Sequence, residues 1–135
     1  MIQVFCDKRG SGKTKNLILM ANSIADNGKG DIVYIDDDKR PLFELKRKIR
    51  FISTSEYDLK DCDEFYGLLC GILSENYDVD TIFIDGLFNI VKCNPQDAAH
   101  LFCNLEKLCQ NNNVNFYINI NGDDKLPEFI QKYVA

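Results

Sequence analysis

The chain has 135 residues, of which 45% are hydrophobic and 27% charged, with a formal net charge of −5. Because this length can bury one core but not two, we expect a single domain spanning residues 1–135. The charge disfavours nucleic acid as a partner, since all four arginines precede residue 51 and the remainder lacks a basic face. No apolar run approaches the ~20 residues that cross a bilayer, and no signal peptide is apparent. We therefore expect a cytoplasmic protein without a membrane span.

A glycine-rich stretch follows the first apolar strand, residues 2–6, and precedes a helix-forming run from Lys15. It reads Lys8-Arg9-Gly10-Ser11-Gly12-Lys13-Thr14. Glycines there let backbone N–H groups curl around a phosphate, and a helix N-terminus adds partial positive charge. Lys13 would reach the β- and γ-phosphates, and the Thr14 hydroxyl would bind Mg²⁺. The pattern predicts a phosphate-binding loop; the alternative is a plain glycine turn with a solvated lysine.

Helices and strands alternate along the rest of the chain. We predict helices over residues 15–27, from Pro41 to about Lys48, after a cap at Asp61 or Asp63, from Asn94-Pro95 to 111–113, and over 127–134. The predicted strands cover residues 31–35, 49–52, 81–85 and 114–120. This alternation predicts a three-layer α/β fold, with a mostly parallel five-stranded sheet and helices on both faces.

Polar residues end several of these strands, where parallel sheets bind their ligands. They are Asp36-Asp37-Asp38, then Asp85, and then Asn119, Asn121 and Asp123. Asp85 closes the apolar strand Thr81-Ile82-Phe83-Ile84, which is the form of a Walker B element. We expect Asp85 to hold Mg²⁺ through water opposite Thr14, since Mg²⁺ takes few protein ligands. The alternative is a strand-end acid that caps a turn.

The group that activates water is not obvious, because many P-loop ATPases place a glutamate after the Walker B acid and this chain has Gly86. We predict that Asp38 positions the water and that Asp36 is a second acid near the metal. Asp38 could equally cap the helix at Pro41 as an Asx turn. For Asn119 and Asn121, sensing of the γ-phosphate and a simple turn at Asn-Gly both remain open.

Several other features bear on the choice of nucleotide, on the source of a catalytic arginine and on metal binding. Nothing resembles the Asn-Lys-x-Asp pattern that reads guanine, so ATP is favoured over GTP. A charge-stabilising arginine must come from a partner or from Arg9, Arg40, Arg47 or Arg50. The basic cluster within residues 39–50 is either a solvated helix face or an anion contact. Six cysteines without a CxxC pair, and a single histidine, argue against zinc and for small core residues in a reducing cytosol.

About the first forty residues resemble the partition and septum-site ATPases of bacteria, whose loop reads Lys-Gly-Gly-x-Gly-Lys-Thr and whose next strand ends in Asp-x-Asp. Lys8 matches their signature lysine, which contacts nucleotide across a dimer interface, so the resemblance implies a nucleotide-sandwich dimer. The whole chain, through Tyr-Ile-Asp-Asp-Asp and Ile-Phe-Ile-Asp-Gly, is similar to short bacterial ATP-binding proteins labelled twitching-motility ATPase-like. Both resemblances imply the P-loop NTPase superfamily.

We therefore expect an ATP- and Mg²⁺-binding P-loop protein that hydrolyses ATP slowly as a switch or assembly ATPase. The expected nucleotide-binding residues are Lys8, Arg9, Gly10, Ser11, Gly12, Lys13, Thr14 and Asn119; the metal residues are Thr14 and Asp85; the catalytic residues are Lys13, Asp36 and Asp38. The alternatives are a nucleotide-dependent binding module without turnover and a small-molecule or nucleotide kinase. A homodimer, a larger assembly and another protein partner all stay open.

Overall fold

The computed structural model describes residues 1–8, 10–122 and 125–135. It contains one sheet whose strands are β1 (Ile2–Asp7), β2 (Asp31–Asp36), β3 (Ile49–Ser53), β4 (Val79–Asp85) and β5 (Asn115–Asn121). The strands lie in the order β1-β5-β4-β2-β3, and every neighbouring pair is parallel. The predicted α/β fold with a five-stranded parallel sheet is confirmed, and the carboxyl ends of all strands share one edge.

Helices cover both faces of this sheet. They are α1 (Lys13–Asn27), α2 (Cys62–Glu75), α3 (Leu87–Ile90), α4 (Ala99–Asn112) and α5 (Glu128–Gln131). The chain crosses from β1 to β2 in one direction and returns through β4 to β5 in the other. Because crossovers between parallel strands are right-handed, this reversal puts α1 on one face and α2 and α4 on the other.

Side chains alternate between the two faces and build two apolar clusters. On the α1 face, Tyr34 and Phe83 pack with helix residues such as Leu17 and Ala21. The larger cluster, on the other face, receives the buried residues of α2 and α4. Four rings on the α1 face stack across neighbouring strands, with centroids 5.1–6.2 Å apart; they belong to Phe51, Tyr34, Phe83 and Tyr117. This row fixes Tyr34 just below the carboxyl edge of the sheet.

The structure shows where two of the predicted helices begin. Asp61, rather than Asp63, caps α2, because its side chain accepts the backbone N–H of Glu64 at 2.9 Å. The helix predicted from Asn94-Pro95 begins later, at Ala99, after a separate 3₁₀ turn over Pro95–Asp97. It ends as predicted in the asparagine run, where Asn113 takes the left-handed conformation.

The helix predicted from Pro41 to Lys48 is wrong in length. Only a 3₁₀ turn, Arg40–Phe43, forms there. The side chain of Asn22 in α1 donates to the Glu44 carbonyl and accepts from the Lys46 N–H. Because this side chain satisfies the backbone of the segment, no helical bonds are needed after the first turn.

The final helix is also shorter than predicted, and it stops at Gln131. Beyond it, the Tyr133 carbonyl accepts from Val4 N at 2.8 Å, and Ala135 N donates to the Val4 carbonyl at 3.0 Å. The chain end therefore pairs with the outer edge of β1. Unpaired strand edges favour such additions, and here that pairing replaces another turn of helix.

Helix α3 was not predicted. It is a single turn that begins directly after Gly86, whose φ of +73° lies in the left-handed region. Among the described residues, no helix is both long enough and apolar enough to cross a membrane.

Candidate functional site

The glycine-rich loop (residues 8–14) joins β1 to α1 at the carboxyl edge of the sheet. Arg9, and also Asp123 beyond β5, lie outside the described residues. Gly10 and Gly12 have φ values of +84° and +88°, which glycine adopts without strain. Gly12 is the N-cap of α1 and has no side chain to accept from the first helical N–H groups. Such a helix end is a site for anions.

Lys13 is the first residue of α1, and its side chain turns back across the loop. Its Nζ donates to the carbonyl oxygens of Asp7 at 2.7 Å and Lys8 at 3.1 Å. These two contacts hold the ammonium beside the open helix end. The Lys13 ammonium and the open N-terminus of α1 therefore lie side by side, and binding of phosphate there stays a prediction.

A turn after β5 contacts Asp7, the residue that precedes this loop. Gly122 N donates to the Asp7 carbonyl at 2.7 Å, so this oxygen binds both the turn and Lys13. A Cβ built on Gly122 would lie 2.8 Å from the Asp7 carbonyl carbon and 3.0 Å from its oxygen. The turn at Asn121-Gly122 therefore packs closely against Asp7, directly before the loop.

We expect Gly122→Ala to lower the free energy of unfolding by about 1–3 kcal/mol, because the new methyl group must displace backbone rather than a mobile side chain. Urea denaturation measures this change. Gly67→Ala is the matched control, since a Cβ at Gly67 in α2 meets nothing within 4 Å. Alanine in place of a helical glycine should instead stabilise by about 0.5–1 kcal/mol. Equal stability of Gly122→Ala and the wild type would contradict the packing argument.

Asp85, at the end of β4, is the centre of a hydrogen-bond network. It is 5% exposed. Its Oδ1 accepts from Thr14 Oγ1 at 3.2 Å and from Asn119 Nδ2 at 3.1 Å, and its Oδ2 accepts from the Tyr34 hydroxyl at 2.7 Å. The carboxylate is therefore joined to the first turn of α1, to β2 and to β5.

Tyr34 was not predicted to take part in the site. Burial, with the adjacent Asp85 carboxylate, raises the pKa of Tyr34 far above its usual range, so the hydroxyl stays protonated and donates. The signal in the sequence was a tyrosine inside an otherwise aliphatic strand. Its partner is 51 residues away, so only the register of β2 against β4 reveals the contact.

Asn119 lies on β5, the strand between β1 and β4. It is 1% exposed, and its amide nitrogen donates to Asp85. Its Oδ1 is buried and has no hydrogen-bond partner among the described residues. Since a buried amide oxygen without a donor is costly, this atom is suited to accept from a bound water or ligand. Asn121, at the end of the same strand, also lines the cavity described below.

Asp36 is opposite Asp85 in the register of β2 and β4, and it is 7% exposed. Burial, then hydrogen bonding with the Asp37 side chain and the charge of Asp85, raises the pKa of Asp36 to about 9. The carboxyl is thus protonated at neutral pH. A metal role for Asp36 stays a prediction and requires loss of this proton.

This raised pKa predicts a pH-dependent stability. The folded chain binds the Asp36 proton more tightly than the unfolded chain, so its stabilisation is complete below about pH 4 and is lost as the pH rises toward the folded pKa. Between about pH 5 and pH 8, Asp36 should lower the free energy of unfolding by up to about 1.4 kcal/mol per pH unit. Asp36→Asn should remove this slope, which urea denaturation of both proteins across the range measures. Parallel profiles would contradict the assignment.

Asp38 follows β2 and is bound to Arg40. Its Oδ1 accepts the Arg40 backbone N–H at 2.9 Å, and its Oδ2 accepts Arg40 Nε at 2.7 Å. These Arg40 contacts hold the pKa of the Asp38 carboxyl below its usual value. The backbone contact, two residues along the chain, is that of an Asx turn, and the Nε contact is an ion pair. The role of Asp38 in positioning water stays a prediction.

Lys13, Asp38, Asp85 and Asn119 line one cavity of about 650 Å³, whereas Tyr34 and Asp36 are not among its lining residues. Its lining comes from the glycine-rich loop, the segments after β2 and β4, and the end of β5; it comprises Gly10, Gly12, Lys13, Thr14, Lys15, Asp37, Asp38, Arg40, Asp85, Gly86, Asn89, Asn119, Ile120 and Asn121. The volume lies within the range of about 300–1,000 Å³ that is common for small-molecule sites.

Neither a protein-family model nor a curated protein matches this chain. The chemistry of the site therefore has to be argued from its own residues.

Thr14 and Asp85 bring two oxygen donors together at the cavity. The described residues contain no group of three or more histidine, cysteine or acidic side chains that could hold a metal by themselves. Thr14 Oγ1 and Asp85 Oδ1 are 3.2 Å apart at the cavity. Mg²⁺ characteristically takes one or two protein oxygens and completes its shell with water and phosphate. A hydroxyl beside a carboxylate is compatible with that mode.

One residue that lines the cavity was not predicted to take part in the site. Asn89 on α3 lines the cavity, and a Cβ on Gly86 would lie 2.9 Å from its Nδ2. A side chain at position 86 would therefore push Asn89 aside. Arg40 is the arginine that, within the described part of the chain, lines the cavity. Arg47 and Arg50 line a separate groove beside β3.

Proposed function

We propose that the chain binds ATP with Mg²⁺ in this cavity and hydrolyses the nucleotide slowly, acting as a switch or an assembly ATPase. The observation that carries the proposal is the glycine-capped N-terminus of α1, with the Lys13 ammonium beside it, opening into the same cavity as the Thr14–Asp85 pair. Anion cradle, cation and metal donors are the three elements that a nucleoside triphosphate requires.

The phosphates are assigned to the loop side of the cavity. The N-terminus of α1 offers backbone N–H groups there. Lys13 can exchange its carbonyl partners for phosphate oxygens, because the Asp7 carbonyl keeps its hydrogen bond from Gly122 N and the Lys8 carbonyl keeps its bond from Ser11 N. The acids Asp37, Asp38 and Asp85 line the same cavity from the ends of β2 and β4. Because like charges repel, the polyanion is directed to the loop and a cation to the acids.

Bound Mg²⁺ would neutralise phosphate charge. On the protein side, Thr14 supplies a hydroxyl oxygen, and Asp85 is held in one orientation by Tyr34 and Asn119. The partnerless Asn119 Oδ1 is suited to accept a hydrogen bond from a water of the metal shell or from the attacking water. This refines the predicted γ-phosphate sensor, since an amide oxygen cannot bind a phosphate oxygen.

A binding module without turnover is the second candidate, and two observations favour it. Gly86 occupies the position where a glutamate would activate water, and the Asp38 oxygens are engaged by Arg40. Catalysis by Asp38 would require Arg40 to leave it. Arg40 is well exposed and lines the cavity, so such a movement would also bring a guanidinium toward the phosphates.

The proposal includes a cytoplasmic location and self-association. The six cysteines, none of which is disulfide-bonded in the structure, suit a reducing compartment. The Lys8 side chain is exposed at the start of the loop. In that position it is accessible to a nucleotide bound by a second copy of the chain.

Phosphate release from Mg·ATP separates the two candidates. We expect release slower than the about 1–10³ s⁻¹ of typical enzymes, and its absence from a Lys13→Ala preparation made in parallel. Equilibrium dialysis with labelled ATP gives binding on the same samples. Binding without release would select the binding module, and absence of both would contradict both candidates.

A further inference from the structure

Two thiols outside the cavity lie unusually close together. Cys62 is the first residue of α2, and Cys93 follows α3 in the connection to α4. Their sulfur atoms are 3.1 Å apart. The residues are 31 positions apart in the chain, so this proximity is a product of the fold and not of a local motif.

Both thiols are partly exposed, and both pack against the larger apolar cluster. Small oxidants can therefore reach them, while the surrounding core keeps them in place. A disulfide needs about 2.05 Å between sulfurs, so the two side chains must approach by only about 1 Å. Cys62 starts a helix and Cys93 lies in a connecting segment, so neither residue is in the middle of a helix or strand.

We propose that Cys62 and Cys93 form a reversible intramolecular disulfide when the chain meets a peroxide. The link would join the start of α2 to the segment that leads from β4 through Asn89, which lines the cavity. This inference is independent of the proposed nucleotide function.

The chemistry balances with peroxide as the oxidant. Burial, with the Cys93 sulfur beside it, raises the pKa of Cys62 to about 12 and so disfavours the Cys62 thiolate. The Cys93 thiolate attacks peroxide and becomes a sulfenic acid as hydroxide leaves. The Cys62 sulfur then displaces hydroxide from Cys93, and its proton goes to that hydroxide to form water. Two thiols and one peroxide give one disulfide and two waters, and a dithiol reverses the step.

The test treats the intact chain with a small excess of hydrogen peroxide and then alkylates the remaining thiols in denaturant. We expect two of the six cysteines to escape alkylation, with a mass loss of two hydrogens and full recovery by dithiothreitol. Trypsin separates Cys62 and Cys93 onto peptides 61–92 and 93–107, which we expect to find linked. Each peptide carries one further cysteine, namely Cys70 and Cys103.

Variants of the four cysteines in these two peptides test which residues form the link. The double variant Cys70→Ser and Cys103→Ser should keep it, and Cys93→Ser should lose it. Mapping of the wild-type peptides by fragmentation decides the matter if Cys93→Ser does not fold. The proposal would be overturned if all six cysteines remained thiols, or if oxygen were added without a link. Links between other cysteines, or between two chains, to the same extent would also overturn it.

Discussion

Lys13→Ala is expected to abolish the thermal stabilisation that ATP and Mg²⁺ give to the wild type. In the proposed site, the Lys13 ammonium lies beside the N-terminus of α1 and is the cation that binds the phosphates. A ligand at a hundred times its dissociation constant stabilises by about 2.7 kcal/mol, which for a chain of this size is a rise in Tm of roughly 10 °C. The variant should show none of it.

The variant itself should fold normally. The Asp7 carbonyl that Lys13 contacts keeps its bond from Gly122 N, and substitutions of such partly exposed side chains usually change stability by less than about 0.5 kcal/mol. Lys15→Ala is the matched control, because Lys15 also lines the cavity and the charge change is identical. We expect it to keep most of the ATP-dependent rise. Equal rises in wild type and Lys13→Ala would remove the phosphate-loop assignment.

The second large effect is expected for Asp85→Asn, which should remove the part of ATP affinity that depends on Mg²⁺. The substitution keeps the shape of the side chain but removes its charge. Hydrogen bonds to a charged group contribute about 1.5–3 kcal/mol, so affinity at saturating Mg²⁺ should fall about 10- to 100-fold. Titration calorimetry with and without Mg²⁺ measures this difference directly.

Tyr34→Phe is the control that separates charge from orientation. It keeps the ring stacked between Phe51 and Phe83 and removes only the hydroxyl that donates to Asp85. We expect Mg²⁺ still to strengthen ATP binding in this variant, with a loss of less than about tenfold. If Asp85→Asn retained the full Mg²⁺ dependence, the metal role of Asp85 would be excluded.

Much of the fold follows from local patterns in the chain. Apolar runs such as Ile32-Val33-Tyr34-Ile35 indicate strands buried on both faces, and the helices between them imply parallel pairing. Parallel pairing alone then predicts that Asp36, Asp85 and Asn119 share one edge with the glycine-rich loop. All five strands and the α/β architecture were predicted on this basis.

The errors occur where distant segments compete with local preference. The C-terminal segment ends its helix early because the edge of β1 offers backbone partners to Tyr133 and Ala135. The segment after Pro41 leaves its helix because Asn22 of α1 binds the backbone of Glu44 and Lys46. Neither partner can be identified from periodicity within the segment itself.

The same limit applies to the site. The sequence predicts that Asp85 and Thr14 cooperate. The contacts of the Tyr34 hydroxyl with Asp85 and of Gly122 with Asp7 depend on the registers of β2–β4 and β1–β5, which no local pattern reveals. The protonated state of Asp36 likewise depends on burial beside Asp85, which no local pattern reveals.

The melting temperature of the wild-type chain with and without ATP and Mg²⁺, with GTP and Mg²⁺ run in parallel, tests directly whether the cavity binds a nucleotide. At about a hundred times the dissociation constant, we expect a rise of roughly 10 °C with ATP that GTP does not reproduce. An unchanged melting temperature with either nucleotide, up to millimolar concentration, would contradict a nucleotide site at the glycine-rich loop.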